Sequence, residues 1–338
     1  MDRGNQSVVS EFVLLGLDNS QNAQILLFII FLVLYLIIGS GNTAIMILII
    51  TDPHLHSPMY FLLANLSFVD LWLSSVSTPK MITDFLRVNK TISFGGCMSQ
   101  IFFAHFIAAS EMVLLVVMAY DRYVAICRPL HYSTIMSLQK CVELVLTSWA
   151  IGFVHAMSHL VVVIQLPFCG PRDIDSFFCD IPLVIKLACI DSYNLDLLMN
   201  ADCGVVGVTC FVLLLISYTY ILLTVRRSST SGASKALSTC SAHITVVVLL
   251  FGPCIFIYVW PLSITWLDKF LAVFYSVITP LLNPTIYTLR NKEIKSAMKR
   301  ITRYSIGSKG SIDAQKACLK HFRPATQRPV SWGGKQEI

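Results

Sequence analysis

Charged residues are scarce in this sequence of 338 residues. Asp, Glu, Lys and Arg make up 13% of the chain, about half of their usual share in soluble domains. Hydrophobic residues make up 55%, a balance that would leave a water-soluble fold short of polar surface. The composition therefore disfavours a soluble protein and favours a chain that crosses a membrane several times.

Other missing features disfavour further classes of protein. Met1–Ser20 lacks a basic start followed by an apolar core and a cleavage site, so no signal peptide is expected and the first span must direct insertion. No internal repeat relates the two halves, which disfavours a transporter, and no polar rings indicate an ion channel. His155 and His159 are the one histidine pair that suggests a metal site or an intramembrane enzyme. Without a third ligand or nearby acid on that face, packing is the favoured interpretation, and no cofactor is expected.

Apolar stretches of about 20 residues, long enough to cross the hydrocarbon as a helix, recur along the chain. The predicted fold class is an all-α membrane protein, a seven-transmembrane helix bundle with a short amphipathic eighth helix. A flexible extracellular segment, 1–23, precedes a receptor domain at 24–289. The amphipathic helix is expected at 290–304, and a disordered cytoplasmic tail at 305–338. The predicted spans lie near 24–50, 58–79, 98–125, 141–164, 197–225, 236–260 and 270–289.

Basic residues in the loops set the orientation of the spans. By the positive-inside rule, the side that carries most of them is cytosolic, which places the N-terminus outside. The first inner loop, around Asp52, contributes no Lys or Arg. The basic residues behind the net charge of +6 cluster where they would meet anionic lipid and a cytosolic partner. The net charge therefore does not indicate nucleic-acid binding. The cytosolic set comprises Arg122, Arg128, Lys140, Arg226, Arg227, Lys235 and the chain from Arg290.

On the outer side, one sequon and four cysteines are notable. Asn5 begins an Asn-Gln-Ser sequon in the N-terminal segment and is expected to be glycosylated. Cys97, Cys169, Cys179 and Cys189 face the oxidising side, where disulfides form. Four cysteines allow three sets of pairs, and the spacing does not choose among them.

The charged residues inside predicted spans that most need an explanation are Asp70, Glu111, Asp121 and Arg122, because each costs about 2.5–3.5 kcal/mol on insertion scales. Asp121 and Arg122 lie near the cytosolic end of the third span, where an ordinary interfacial ion pair is one interpretation. Asp70 and Glu111 lie deeper. If their helices face each other, the two carboxyl groups would share a proton or bind a cation; a neutral, hydrogen-bonded structural pair is the alternative.

Five segments together resemble the olfactory receptors, a family of rhodopsin-like G-protein-coupled receptors. The most specific is Met118–Cys127, with the sequence MAYDRYVAIC, an elaboration of the Asp-Arg-Tyr motif of the wider class. The other four agree in order and spacing: Gly41-Asn42, Leu55–Phe61 (LHSPMYF), Lys235–Cys240 (KALSTC) with His243, and Pro280–Tyr287 (PLLNPTIY).

The resemblance implies an odorant receptor of the plasma membrane and of sensory cilia, and no enzyme activity. It pairs Cys97 with Cys179 and Cys169 with Cys189, and it matches Asp70 and Glu111 with a sodium or proton site. Arg122 would engage a stimulatory heterotrimeric G protein of the olfactory type once helix six swings outward, raising cyclic AMP. Whether a trafficking chaperone is needed stays open. The residues implied in coupling are Asp121, Arg122, Tyr123, Tyr218, His243, Asn283, Pro284 and Tyr287.

Departures from the patterns of these receptors are informative. No proline occurs between Pro182 and Pro253, and Phe251-Gly252-Pro253 replaces the tryptophan-containing motif of helix six. Both departures from the wider class favour the olfactory branch. Within that branch a tyrosine is common where Phe251 stands, so this chain lacks a hydroxyl at the floor of the expected pocket.

A ligand that enters from outside would meet the outer halves of helices three, five, six and seven. The cavity would be mostly apolar and would suit a small volatile molecule, bound at about micromolar affinity or weaker. His105, Asp202, Tyr258 or Ser276 would supply an orienting contact, although His105 is also a candidate packing histidine. Asp202 would favour an amine only if it points inward. The predicted contacts are Ala104, His105, Ala108, Ala109, Met112, Asp202, Val206, Cys254, Ile255, Tyr258, Val273 and Ser276.

The alternative within receptors is a rhodopsin-like receptor for a non-odorant small molecule such as a hormone or amine. Ala104 stands where the resemblance places the usual amine-anchoring acid, which counts against an amine receptor. A small membrane transporter is the more distant alternative, because the halves show no repeat.

Overall fold

The computed structural model describes residues 9–17, 20–168, 171–189, 193–227, 232–259, 265–291 and 293–300. Asn5, Cys169 and the predicted tail at 305–338 lie outside them. The long helices are α1 (Gln21–Thr51), α2 (Pro58–Asp84), α3 (Phe94–Cys127), α5 (Leu138–Val163), α7 (Tyr193–Arg227) and α8 (Gly232–Val259). The last span is built from α9 (Thr265–Val273), a π turn (Phe274–Ile278) and α10 (Thr279–Arg290). Short helices α4 (Tyr132–Ile135), α6 (Ile181–Ile185) and α11 (293–300) complete the set.

The helices form a seven-helix bundle suited to lipid. Within the described residues, six helices are long and apolar enough to cross a membrane, and α8 adds a shorter apolar stretch, His243–Phe256. Large aliphatic side chains of α1, such as Leu26, Ile29 and Leu36, are exposed. An outer surface of this kind is stable in hydrocarbon, whereas water would penalise it.

Helix α3 is the axis of the bundle. Ser93 begins it by accepting a hydrogen bond from the Gly96 amide at 3.1 Å, which satisfies one of the donors that a helix start leaves free. Side chains are buried along its whole length, from Ile101 to Val124. It packs most closely against α5, where Gly152 has no side chain to separate the two backbones.

A small sheet covers one end of the bundle, which we call the sheet end. Its strands are β1 (Glu11–Leu14), β2 (Thr91–Ser93) and β3 (Asp173–Ile174) in the order β2-β1-β3, with β1 antiparallel to β2 and parallel to β3. Phe12 and Leu14 are buried in a second apolar core. The sequence predicted a flexible N-terminal segment, but the part described, residues 9–17, is bound by strand pairing that alternation over four residues is too short to reveal.

A disulfide joins Cys97, at the start of α3, to Cys179, which directly precedes α6. The structure therefore confirms one of the two pairings that the resemblance implied. The Cys179 amide also donates a hydrogen bond to the Gln100 side chain at 3.1 Å. Together these bonds hold the loop between α5 and α7 against α3. Cys189 is disulfide-bonded, while its predicted partner Cys169 lies outside the described residues.

At the opposite end, which we call the Arg122 end, α11 contacts the loop between α1 and α2. Arg300 donates hydrogen bonds to Asp52 at 2.6 and 3.0 Å. The Asp52 carboxyl also accepts from the His54 amide at 3.0 Å and so caps a short 3-10 turn. That loop has no Lys or Arg of its own, and Arg300 supplies a positive charge from more than 240 residues away.

The ion pair between Asp52 and Arg300 is expected to make the attachment of α11 to the loop between α1 and α2 sensitive to acid. Hydrogen bonds from Arg300 above all, and from His54, lower the pKa of Asp52 from 3.8 to about 2. Because the folded-state pKa is depressed, the pair stabilises the fold above about pH 4 and is lost as pH falls toward 2. At neutral pH, Asp52→Asn should speed amide exchange in 293–300 by roughly two- to fivefold, measured by hydrogen–deuterium exchange. The exposed acid Glu143, changed to Gln, is the control, and equal protection in both variants would contradict the assignment.

Candidate functional site

A cavity of about 50 Å³ lies at the sheet end, between α3, α5, α7, α8 and the π turn. That volume holds several water-sized groups. Apolar side chains dominate the wall, as in most small-molecule sites. The lining residues are Ala104, His105, Ala108, Ala109, Met112, His155, Asp180, Cys203, Gly204, Val206, Gly207, Cys254, Ile255 and Tyr275.

Eight of the residues predicted to contact a ligand line this cavity. Five come from α3, because positions three and four apart share a face of a regular helix. The small alanines on this face leave the space that the sequence analysis expected. The eight are Ala104, His105, Ala108, Ala109, Met112, Val206, Cys254 and Ile255.

Among the described side chains, three predicted contacts lie elsewhere. Asp202 turns toward α5, where its carboxylate lies 3.3 Å from His155 Nδ1 and 3.0 Å from His159 Nε2. The hypothesis that Asp202 orients a ligand is therefore corrected, since its partners are these histidines. Val273 and Ser276 do not line the cavity, and the Ser276 hydroxyl donates to the Ala272 carbonyl at 2.7 Å.

The π turn explains why the last span departs from the prediction. A π turn changes the helical phase, and here it covers Phe274–Ile278. Buried Tyr275 therefore reaches the cavity where regular α-helical spacing predicted Val273 and Ser276. The side chain of Tyr258, the remaining predicted contact, lies outside the described residues.

The polar corner of the cavity is built around His105. Its Nε2 atom lies 3.5 Å from Asp180 Oδ1, and its Nδ1 atom lies 3.9 Å from Cys203 Sγ. Asp180 also caps α6, accepting from the Ile181 amide at 2.8 Å. Asp180 was not predicted as a site residue, although its position directly after Cys179 was a usable signal: a disulfide to the start of α3 brings the next residue over that helix.

Two buried carboxyl groups lie deeper in the bundle. Asn283 donates to Asp70 at 2.8 Å, but the second Asp70 oxygen and both Glu111 oxygens are buried without a hydrogen-bond partner among the described atoms. Buried carboxyl oxygens of this kind require a proton, a water molecule or a cation. The residues present therefore fit the sodium or proton site that the resemblance implied.

Five of the predicted coupling residues lie at the Arg122 end: Asp121, Arg122, Tyr123, Tyr218 and His243. Arg122 Nε lies 3.9 Å from Asp121, whose carboxylate accepts from the Tyr132 hydroxyl at 2.7 Å. A hydrogen bond between Tyr218 and His243 joins α7 to α8. Tyr123 packs its ring near that of Tyr220 on α7.

Two of the motif segments meet in space between the first and last spans. The Asn42 amide donates to the Pro280 carbonyl at 3.2 Å, and Pro284 lies beside Gly41. The side chain of Tyr287, which was predicted to stabilise the open state, lies outside the described residues. Motifs that are distant in the sequence therefore meet in space: the Pro280–Tyr287 segment is hydrogen-bonded to Asn42 through Pro280 and to Asp70 through Asn283.

Comparisons with known proteins agree with this geometry. A family model described as "Olfactory receptor" matches residues 31–304. Human "Olfactory receptor 4K14" is 61% identical over 302 residues, which cover 89% of this chain and 97% of that protein. Human "Olfactory receptor 4K3" is 57% identical over 305 residues, or 90% of this chain and 97% of its own length. Human "Olfactory receptor 4F4" is 58% identical over 301 residues, which cover 89% and 99% of the two chains.

Proposed function

The chain belongs to the olfactory receptor family and is therefore a multi-pass membrane receptor and not an enzyme; from this premise we propose that it binds a small volatile odorant and activates a stimulatory G protein of the olfactory type. Activation would raise cyclic AMP. The sheet end would face the outside, with the N-terminus, and the Arg122 end would face the cytosol. The proposed location is the plasma membrane of sensory cilia, with lipid and a trafficking chaperone as further partners.

The cavity is the observation that carries the ligand proposal. Its wall is largely aliphatic, and its few polar groups are His105, Asp180 and Cys203 in one corner, together with His155 and Tyr275. Such a site holds a ligand chiefly by dispersion and desolvation and uses one or two polar contacts to orient it. At about 50 Å³, the cavity favours a ligand of few heavy atoms.

A route for the signal runs along the seam between α7 and α8. Cys254 and Ile255 line the cavity, and Phe251, one turn below, packs its ring 5.9 Å from that of Phe211. Seven or eight residues further toward the Arg122 end, Tyr218 and His243 are hydrogen-bonded. Ligand contact with α8 would shift the population toward an arrangement with α8 displaced outward. Phe251 would transmit this by packing, because it lacks the hydroxyl of a tyrosine.

Asp70 and Glu111 would hold a sodium ion or a proton between the cavity and the Arg122 end. A cation would supply positive charge that neutralises the buried carboxylates. Asn283 would hold Asp70 in position through the hydrogen bond described above.

The proposal predicts an odorant response that depends on Arg122. In cells that display the chain at their surface, some members of a panel of volatile compounds should raise cyclic AMP in a dose-dependent way. Arg122→Ala should abolish the response, because it removes the cation expected to contact the G protein. Lys140→Ala is the matched control: Lys140 is an exposed cation at the same end, paired only with the exposed Glu143 among the described residues, and its loss should change the response less than about twofold.

If no compound of the panel raises cyclic AMP despite verified surface display, the alternative of a receptor for a non-odorant small molecule would be favoured. A response that survives Arg122→Ala at full amplitude would contradict the proposed coupling residue. Equal losses in both variants would show a general effect of charge at the membrane surface and would also contradict it.

A further inference from the structure

A cluster of metal-binding side chains lies between α5 and α7, beside the cavity. His155 and His159 are one turn apart on α5 and share a face, and both side chains are largely buried. The sequence offered no third ligand, so packing was the favoured interpretation. The fold supplies the missing acid, because α7 places Asp202 against both rings.

The separations between these atoms match a metal site. Asp202 Oδ2 lies 3.3 Å from His155 Nδ1 and 3.0 Å from His159 Nε2, and each pair of the three ligand atoms lies within 4.8 Å. Two zinc–ligand bonds of about 2.0–2.1 Å at an angle of about 109° place their ligand atoms about 3.3–3.4 Å apart. Small rotations of the side chains would therefore suffice to bring the three atoms around one ion.

The electrostatics of Asp202 also favour a cation. Its side chain is half exposed on a helix that crosses the membrane, where a carboxylate is costly unless it is neutralised. Among the described residues, its ion-pair partners are the two histidines, which carry positive charge only when protonated. A divalent ion would neutralise the carboxylate while both imidazoles stay neutral, the state in which imidazole binds metal.

We propose that His155, His159 and Asp202 form a Zn²⁺ site that joins α5 to α7, with the fourth coordination position open to water. Two imidazole nitrogens and one carboxylate oxygen are a common zinc set with an open position. The hard oxygen ligand disfavours Cu⁺, which prefers sulfur. The ion would restrain the part of α7 that carries the Val206 wall of the cavity, so zinc binding and ligand binding would be thermodynamically linked.

A second group, His105, His155 and Cys203, offers a competing site on the cavity side. It shares His155 with the proposed site but includes a thiol. Sulfur ligation is therefore the observable difference between the two sites. Because Co²⁺ replaces Zn²⁺ in such sites and absorbs visible light, cobalt reports both the geometry and the presence of sulfur.

The test uses the full chain, purified through a tag without His or Cys and reconstituted in lipid nanodiscs, with no odorant or G protein. Titration with Co²⁺ should give the strong d–d bands of a tetrahedral ion without a sulfur-to-cobalt charge-transfer band, and Zn²⁺ should abolish them by displacement. His159→Gln and Asp202→Asn should each weaken binding by more than about 10-fold, since losing even an outer-shell partner costs that much. Cys203→Ser removes the thiol that lies 3.7 Å from His159 Nε2, and it should leave the spectrum unchanged, because the proposed ligand set contains no sulfur.

The wild-type spectrum decides the proposal even if a variant fails to fold. Weak octahedral bands, or no saturable binding, would overturn it. A charge-transfer band that disappears in Cys203→Ser would place the metal at the thiol group instead and would also overturn it. Failure of the odorant proposal would leave this result unaffected, because no signalling is measured.

Discussion

Gly152→Ala is expected to prevent the chain from reaching the cell surface. A Cβ atom at this position would lie 2.1 Å from Ser110 Oγ, 2.6 Å from the Phe106 carbonyl oxygen and 2.9 Å from the Ser110 amide nitrogen. The last two atoms belong to the backbone of α3, so relief requires moving α5 away from the axis of the bundle. Overpacking of this kind costs roughly 3 kcal/mol or more. The measurements are surface display and the thermal unfolding of purified protein.

Gly39→Ala is the matched control, because nothing lies within 4 Å of a Cβ added at that glycine of α1. Alanine favours a helix over glycine by about 1 kcal/mol, so this variant should be as stable as the parent or slightly more so. The same chemical change is therefore predicted to have opposite signs at the two positions. Similar stability of the two variants would show that α3 and α5 are not in the close contact described here.

Ala108→Leu is expected to abolish the odorant response while surface display stays normal. Leucine adds three carbon atoms to the wall of a cavity of only about 50 Å³, so a ligand and the new side chain cannot occupy it together. Half-maximal concentrations should rise by more than about 100-fold, equivalent to at least about 2.7 kcal/mol of lost binding. The readout is cyclic AMP over a dose series of an odorant that activates the parent chain.

Two variants bracket this prediction. Ala150→Leu makes the same change at an exposed position of α5 and should leave the dose response unaltered. Met112→Ala removes volume from the same wall and should extend the response to larger odorants. An unchanged response in Ala108→Leu, with normal display, would place the ligand elsewhere in the receptor.

The residues of α3 that line the site could be predicted from the sequence. A long regular helix repeats every 3.6 residues, so the spacing of Ala104, Ala108 and Met112 already placed them on one side. The positions of Asp121 and Arg122 in a strong motif likewise predicted their place at the end of α3. Predictions of this kind depend on one helix at a time, and local geometry is sufficient for them.

Prediction from regular helical spacing fails where a local irregularity changes the phase of the helix. No residue type in Phe274–Ile278 signals a π turn, yet that turn brings Tyr275 to the cavity in place of Val273 and Ser276. The predicted contact between Asp202 and a ligand in the cavity did not hold for a different reason. Its helix was predicted, but the rotation of α7 relative to α5 determines whether it points to the cavity or to His155 and His159.

By itself, the sequence determined that this chain is a membrane bundle of the olfactory receptor type. The length of the apolar stretches, the charge of the loops and the contiguous motifs can each be read from a short segment of the sequence. Only the tertiary structure decided which distant groups meet: Asp180 over His105, Arg300 against Asp52, and Asp202 between two histidines. Such meetings depend on the rotation and separation of packed helices and on a disulfide that redirects a loop. Those quantities are set by the packing of all the side chains together, and no single segment encodes them.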